Sequence, residues 1–348
     1  MRLSLAKARS SGLAKRISRR QLICRALALA VASTMLGAKA LRADQSSPRS
    51  VRIGLISIGS SKELAPKVTV FLEQLKTLGY VGGRDLRLET RWADGDLGRL
   101  PDLAADLVRG KVDILVATTT YDVRAARNAT STIPIVMVTA ADPVATGLVA
   151  NLAHPGGNVT GLSLMTIELS IKRLQILKDA VPRAARVAVL WNPNHPFHAK
   201  VVEGIKAAAP SLAIQPIFVS AQTPDQLPLA LAAAKRGRAQ ALSVIEDPFF
   251  YLHRAAISQL AAKEGLPAIY GAKEYAVSGG LISYGPNYDD LWRRAASYVD
   301  RILKGAKPSD LPIEQPTTFD LVINLKTAER LGLKIPASML VQATEVIR

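Results

Sequence analysis

The sequence predicts an α/β protein of two doubly wound parallel-sheet lobes facing a central cleft, preceded by a signal peptide. Three observations lead there. The chain has 348 residues, roughly two domains' worth. From residue 51 onward, short apolar runs alternate with stretches whose apolar residues recur at helical spacing. This is the rhythm of parallel strands covered by helices on both faces. The rhythm pauses at residues 155–161, where three glycines and a proline fall within seven residues, and then restarts.

The first series opens with an apolar strand at 51–57. Leu64, Val68, Phe71, Leu72, Leu75 and Leu78 then mark a helix, and Gly79 follows as its C-cap. Leu86, Leu88, Thr90 and Trp92 alternate as a strand with one exposed face. Leu100, Leu103, Ala104, Leu107 and Val108 give the next helix, and residues 112–117 and 133–138 read as buried strands. In the second series Ile167, Ile171, Leu174 and Leu177 form a helix. Strands follow at 186–190, 214–219, 241–245, 267–270 and 280–284. Leu291, Ala295, Tyr298, Val299 and Ile302 give a helix that ends at Gly305.

Composition narrows the function. Hydrophobic residues make up 49% of the chain and charged residues 21%, which excludes an intrinsically disordered protein. A single cysteine, Cys24, rules out a disulfide framework and a cysteine-based zinc site. The net charge of +17 suggests nucleic acid until it is located. Ten of the 45 basic residues and no acidic ones fall in residues 1–43, so residues 44–348 carry only +7.

That basic segment reads as an address. An acid-free stretch runs to Arg25, an apolar run of about twelve residues follows, and Ala38-Lys39-Ala40 and Ala43 offer cleavage sites. The run is too short to span a bilayer stably. Ser18-Arg19-Arg20-Gln21-Leu22-Ile23 resembles the twin-arginine export motif. Lipidation at Cys24 is disfavoured, because Ile23 is not small and Cys24 precedes the apolar run. A helix-turn-helix headpiece is disfavoured too, since the segment has no turn between two amphipathic helices. The expectation is a signal peptide over 1–43, cleaved near Ala40 or Ala43, and a periplasmic mature protein.

Catalytic signatures are missing: no G-x-G-x-x-G follows a strand, and there is neither a Walker A loop nor a G-x-S-x-G elbow. His195 and His198 have a spacing that could supply two metal ligands, with no third evident. Asn158-Val159-Thr160 matches a glycosylation sequon, but fits a loop whose Asn side chain caps backbone groups. Polar and aromatic residues gather instead just after the strands. They are Ser60, Thr118, Thr119, Thr120, Tyr121, Asp142, Trp191, Asn192, Asp247 and Tyr270. Ligands of doubly wound sheets bind beyond the carboxyl ends of the strands, where two facing lobes converge. Each position also has a plainer reading as a helix cap, above all Asp142 before Pro143.

A family resemblance sharpens the expectation. Residues 142–149 (Asp-Pro-Val-Ala-Thr-Gly-Leu-Val) and 152–161 (Leu-Ala-His-Pro-Gly-Gly-Asn-Val-Thr-Gly) resemble the ABC transporter substrate-binding proteins of the tryptophan/tyrosine-binding-like group. So do residues 71–80, 83–89, 321–332 and 335–336, and the resemblance spans about 51–340. It implies a type 1 periplasmic-binding-protein fold with lobes at 44–161 plus 278–311 and 162–277 plus 312–348. It also implies capture of an amino acid or aromatic solute between the lobes and delivery to the membrane permease of an ABC importer. No catalysis, cofactor or nucleic-acid partner is implied, and a monomer is expected. Carried over by position, the cleft loops are those at Ser60, Thr118–Thr120, Asp142, Asn192, Asp247 and Tyr270. A zwitterionic solute would place its ammonium on Asp142 or Asp247 and its carboxylate on Ser60, Thr119 or Thr120. An aromatic group would stack on Tyr121, Trp191 or Phe249. The alternatives are a ligand sensor of the same fold and an exported α/β hydrolase.

Overall fold

The structure is a computed structural model that describes residues 50–348; the expected signal peptide lies outside the described residues. Chain order in the first lobe is β1 (Val51–Ser57), α1 (Ser61–Thr77), β2 (Leu86–Trp92), α2 (Leu100–Arg109), β3 (Ile114–Thr119), α3 (Thr120–Ala129), β4 (Ile135–Ala140) and β5 (Val159–Ser163). Then come α4 (Thr166–Ala180), β6 (Arg186–Trp191), α5 (His198–Ala208), β7 (Gln215–Ser220), α6 (Gln226–Arg236) and β8 (Ala241–Val244). They are followed by α7 (Pro248–Leu252), α8 (Arg254–Lys263), β9 (Ala268–Tyr270), α9 (Lys273–Val277), β10 (Ile282–Pro286) and α10 (Tyr288–Leu303). The chain closes with β11 (Phe319–Asn324), α11 (Leu325–Arg330), α12 (Ala337–Gln342) and β12 (Glu345–Ile347).

Among the described residues the strands form two sheets, ordered β2-β1-β3-β4-β5 and β12-β11-β10-β9-β8-β6-β7. The first is parallel throughout. The second is parallel except where β10 and β11 run antiparallel. Alternate residues of one strand serve opposite faces, which is why these strands are apolar without interruption. Ile53, Leu55, Ile114, Val116, Val136 and Val138 pack with Phe71 and Leu75 of α1 and with Trp292, Tyr298 and Val299 of α10. Their neighbours Ile56, Leu115, Ala117, Ile135 and Met137 pack with Leu100, Ala104 and Leu107 of α2 and Val123 and Ala126 of α3. In the second lobe Val187, Val189, Ala241, Ile269 and Ile282 meet α4 and α5, while Ala188, Leu190, Leu242 and Val244 meet α6 and α8.

Two features depart from the sequence expectation. Residues 155–161, read as a break, run into β5, the edge strand of the first sheet. Gly161 adopts φ 123°, and a Cβ there would overlap the Met137 backbone. The glycine is therefore a close strand-to-strand approach rather than a chain break. Asn158 does cap backbone groups, donating to the Thr130 and Ile133 carbonyls.

The second departure is a lobe boundary. The return to the first lobe was placed at residue 278, which would carry the strand at 280–284 with it. Instead β10 lies in the second sheet, with Ile282 and Ser283 in register with Ile269 and Tyr270. The chain crosses back only with α10, so the second crossing falls between Pro286 and Tyr288. The third is later than residue 312, because Glu314 still bridges Leu162 beside β5 and β11 begins at Phe319.

Candidate functional site

Both sheets point the carboxyl ends of their central strands at one cavity of about 130 Å³. At about 10–15 Å³ per water-sized position, it has room for roughly ten. The first lobe supplies Ser57, Thr118, Thr119, Thr120 and Thr139 from the ends of β1, β3 and β4. The second supplies Thr166, His195, Glu246, Asp247, Tyr251 and Tyr275. Tyr288 and Trp292, one helical turn apart on α10, complete the wall.

The hydroxyl side is fixed from behind. Asp122 is fully buried and accepts from Thr118 Oγ1 at 2.7 Å and the Thr119 N–H at 2.8 Å. Thr118 Oγ1 also meets Ser57 Oγ at 2.8 Å, and Ser57 Oγ accepts from the Gly59 N–H at 3.0 Å. Burial pushes the Asp122 carboxyl up to about 6, against the opposing pull of these bonds. Thr120 Oγ1 accepts from the Ala141 N–H at 2.9 Å, locking β3 to the end of β4. Thr166 opens α4, and its buried hydroxyl has no partner.

The opposite wall carries the charge. Asp247 is 5% exposed and caps α7: Oδ1 accepts from the Phe249 and Phe250 N–H groups at 2.8 and 3.3 Å, and Oδ2 from Asn192 Nδ2 at 3.1 Å. Burial pushes its carboxyl up to about 6. Among the described residues no Lys or Arg forms an ion pair with it, whereas the other lining charges are paired. Glu63 meets Arg254 at 2.6 Å, and Glu246 meets Arg173 at 3.3 Å. Lys67 meets Glu274 at 3.1 Å and Asp289 at 2.7 Å. Burial works against the Lys67 charge, yet the two carboxylates outweigh it and raise its pKa.

His195 and His198 are held neutral, their pKa values pushed down by burial to about 2 and about 4. The ligand atoms of His195, His198 and Asp247 lie within 4.8 Å of one another, so the cleft supplies the third ligand that the sequence did not suggest. The set does not fit a metal. His198 Nδ1 accepts from the Asn192 N–H and Nε2 donates to the Glu246 carbonyl, both at 3.0 Å. The two rings also stack at 4.2 Å, so their in-plane nitrogens do not converge. His195 Nδ1 accepts from the Phe197 N–H at 3.2 Å, which leaves Nε2 as the protonated, donating nitrogen of the neutral ring.

Thr118, Thr119, Thr120 and Asp247 thus line the cavity, while the other expected residues sit elsewhere. Ser60 caps α1, accepting from the Glu63 N–H at 3.3 Å. Asp142 caps a turn through the Val144 and Ala145 N–H groups, and no helix begins at Pro143, so the residue caps backbone donors as expected but not at a helix start. Asn192 supports Asp247 from behind. Trp191 packs on the second lobe's core. Tyr270 is fully buried beneath Tyr275, ring on ring at 4.5 Å, and Tyr275 is the one that lines the cavity. Phe249 packs against Phe250 and His253. Tyr121 reaches across the cleft, edge-on to His195 at 5.3 Å.

The sequence reading placed Glu246 beside Asp247 at a strand end but missed Tyr275, Tyr288 and Trp292 as wall residues. A signal existed for the last two: an aromatic pair spaced i, i+4 on one apolar helix face.

Comparison with known proteins places this geometry. A family model described as ABC transporter substrate binding protein matches residues 52–347. A tyrosine-binding protein of Clostridioides difficile (strain R20291) is 26% identical over 289 residues, covering 83% of each chain. A conserved domain protein from Vibrio cholerae O1 biovar El Tor strain N16961 superposes with a TM-score of 0.81 at 28% identity, over 86% of this chain and 100% of that one. An ABC domain in complex with L-Trp from Streptococcus pneumonia has the same fold, with a TM-score of 0.80 at 24% identity and the same coverage. With the match running from the first strand to the last, the chain belongs to the ABC transporter substrate-binding protein family.

Proposed function

We propose that the cavity captures a small solute bearing an ammonium group, an amino acid or a close aromatic relative, and presents it to the permease of an ABC importer. The observation that carries this reading is Asp247, a buried lining carboxylate without a cationic partner among the described residues. A cation within hydrogen-bonding reach would relieve the desolvation that raises its pKa. Thr118–Thr120, Thr166 and the Nε2–H of His195 offer polar contacts, and Tyr251, Tyr275 and Trp292 offer aromatic surface. The tyrosine-binding relative and the L-Trp complex support the same class. The basic, acid-free stretch over residues 1–43 and its alanine cleavage sites support export, with the periplasm as the site of action.

The test is thermal unfolding of the chain from residue 44 against matched probes: L-tyrosine, L-tryptophan, tyramine, and the same aromatic acids without the amine. A probe at about 100 times its Kd adds roughly 2.7 kcal/mol and raises the midpoint by a few degrees. Shifts confined to the amine-bearing probes are expected. Equal shifts with the desamino acids would remove Asp247 from the centre of recognition.

A further inference from the structure

Besides Asp247 and Glu63, the cavity wall contains a third carboxylate, Glu246, whose bonding differs from that of Asp247. Arg173 on α4 is 0% exposed. Its guanidinium donates to Glu246 Oε2 at 3.3 Å, to Ser170 Oγ at 3.1 Å and to the Tyr284 carbonyl at 3.2 Å. Glu246 lines the cavity, and its Oε1 accepts from the Tyr288 hydroxyl at 3.1 Å. Tyr284 lies on β10 in the second sheet, while Tyr288 opens α10, which packs on the first. The two tyrosines therefore bracket the second crossing, and the Tyr288 ring packs against the cores of both lobes. The Glu246 carboxylate is bonded to both sides of that crossing, directly to Tyr288 and through Arg173 to Tyr284. Backbone shape agrees. A Cβ at Gly271 would overlap the Glu246 side chain, and one at Gly285 would overlap the Gly271 carbonyl, so the carboxylate is wedged where the chain changes lobes.

A carboxylate offers about four acceptor positions, and Arg173 and Tyr288 leave part of that capacity toward the cavity. We propose that Glu246 is a positioning residue that couples the cavity wall to lobe closure. Arg173 fixes the carboxylate, and the carboxylate ties Tyr288, and with it α10 and the first lobe, to the second lobe's wall. Opening about the crossing breaks the Tyr288 bond, and a hydrogen bond to an ionised group shifts an equilibrium by roughly tenfold or more. The inference rests on the reading of the cleft as one that closes, but not on any solute class.

The test uses no solute. Glu63→Cys and Arg254→Cys, in a Cys24→Ser background, place thiols across the cleft mouth, where the native side chains meet at 2.6 Å. The rate of cross-linking by a short bis-maleimide then reads the closed population, however small. Tyr288→Phe, which keeps the ring, is expected to slow the reaction about tenfold. Glu246→Gln should slow it too, and the double variant should be no slower than the slower single, because both remove one bond. Arg173→Lys, with the charge but not the fork, should fall between. A Tyr288→Phe rate within about twofold of the parent, or two effects that multiply, would overturn the proposal. A merely structural role would lower the unfolding midpoint, read in parallel, and leave the cross-linking rate alone. A parent that does not cross-link overturns both this inference and the closing cleft, whereas a wrong solute class leaves the test unaffected.

Discussion

Asp247 and the two neighbouring histidines make the cleft sensitive to pH in opposite senses. Asp247 is raised from 3.8 to about 6, so its proton is lost in the folded protein only above that value. An ammonium solute needs the ionised form, and its affinity is expected to fall about tenfold per pH unit below 6. Titration calorimetry between pH 5 and 8 with the amine-bearing probe that binds would show it. Asp247→Asn should weaken the same probe by roughly 10- to 100-fold at pH 7.5 and abolish this pH dependence. Stability follows a different balance. For Asp122 and Asp247 the folded pKa exceeds the unfolded one, so acidification through about 6 relieves a burial cost and stabilises the fold. For His195 and His198 the folded values lie far below 6.5, so acidification below 6.5 favours the unfolded chain, which takes up the protons. Between about pH 6.5 and 4 the two uptakes nearly offset each other, and because the histidine displacements are the larger, the unfolding midpoint should fall below about pH 4. His195→Asn, which can still accept from the Phe197 N–H, should make that fall shallower.

At the scale of elements, the strands that sequence reading placed well are those buried on both faces, such as β1, β3 and β6. Their apolar runs have no other use, and the runs end where hydroxyls and carboxylates begin. β5 escaped because Gly161 and the preceding glycines look like punctuation, although the Gly161 backbone serves a strand contact with Met137. Gly161→Ala is therefore expected to destabilise the protein by roughly 3 kcal/mol, through a positive φ and a backbone overlap. Gly157→Ala, four residues earlier in open space, should stay within about 0.5 kcal/mol. Urea unfolding of the pair compares them directly. The β10 strand was found but assigned to the wrong lobe. Its own residues state that it is a strand, while its partner is decided by register with Ile269 and Tyr270 and by the fit of Gly285 against Gly271. Site residues divide in the same way. Thr118–Thr120 and Asp247 were legible as wall residues because they lie at or just past the carboxyl ends of strands. Trp292 was not, because it reaches the cavity from a helix whose lobe depends on that crossing.

At the scale of the whole molecule, the lobes meet at the cleft mouth through charged pairs, the half-buried Glu63 with Arg254 and the buried Lys67 with Glu274. Arg254 also lies over the Tyr251 ring at 4.8 Å. The more accessible of the two, Glu63 with Arg254, contributes on the order of 0.2–1 kcal/mol and is screened by salt. Glu63→Gln should accordingly weaken solute affinity by no more than about fivefold at low ionic strength, and the difference should shrink in about 1 M salt. Calorimetry of the variant and parent at the two salt concentrations checks this. Asp247, buried and unpaired, should show no comparable salt effect on its own contribution.

The route of the chain through the lobes also bears on the order of assembly. One face of the first sheet, carrying Ile53, Leu55, Val136 and Val138, is covered in part by α10. More than 150 residues separate Val138 from Trp292. At about 5–20 residues per second, synthesis leaves that apolar face without its last helix for on the order of ten seconds. Neither lobe is a continuous piece of chain, so neither can finish alone, and that face of the nascent first lobe stays incompletely covered until Trp292 and Tyr298 emerge.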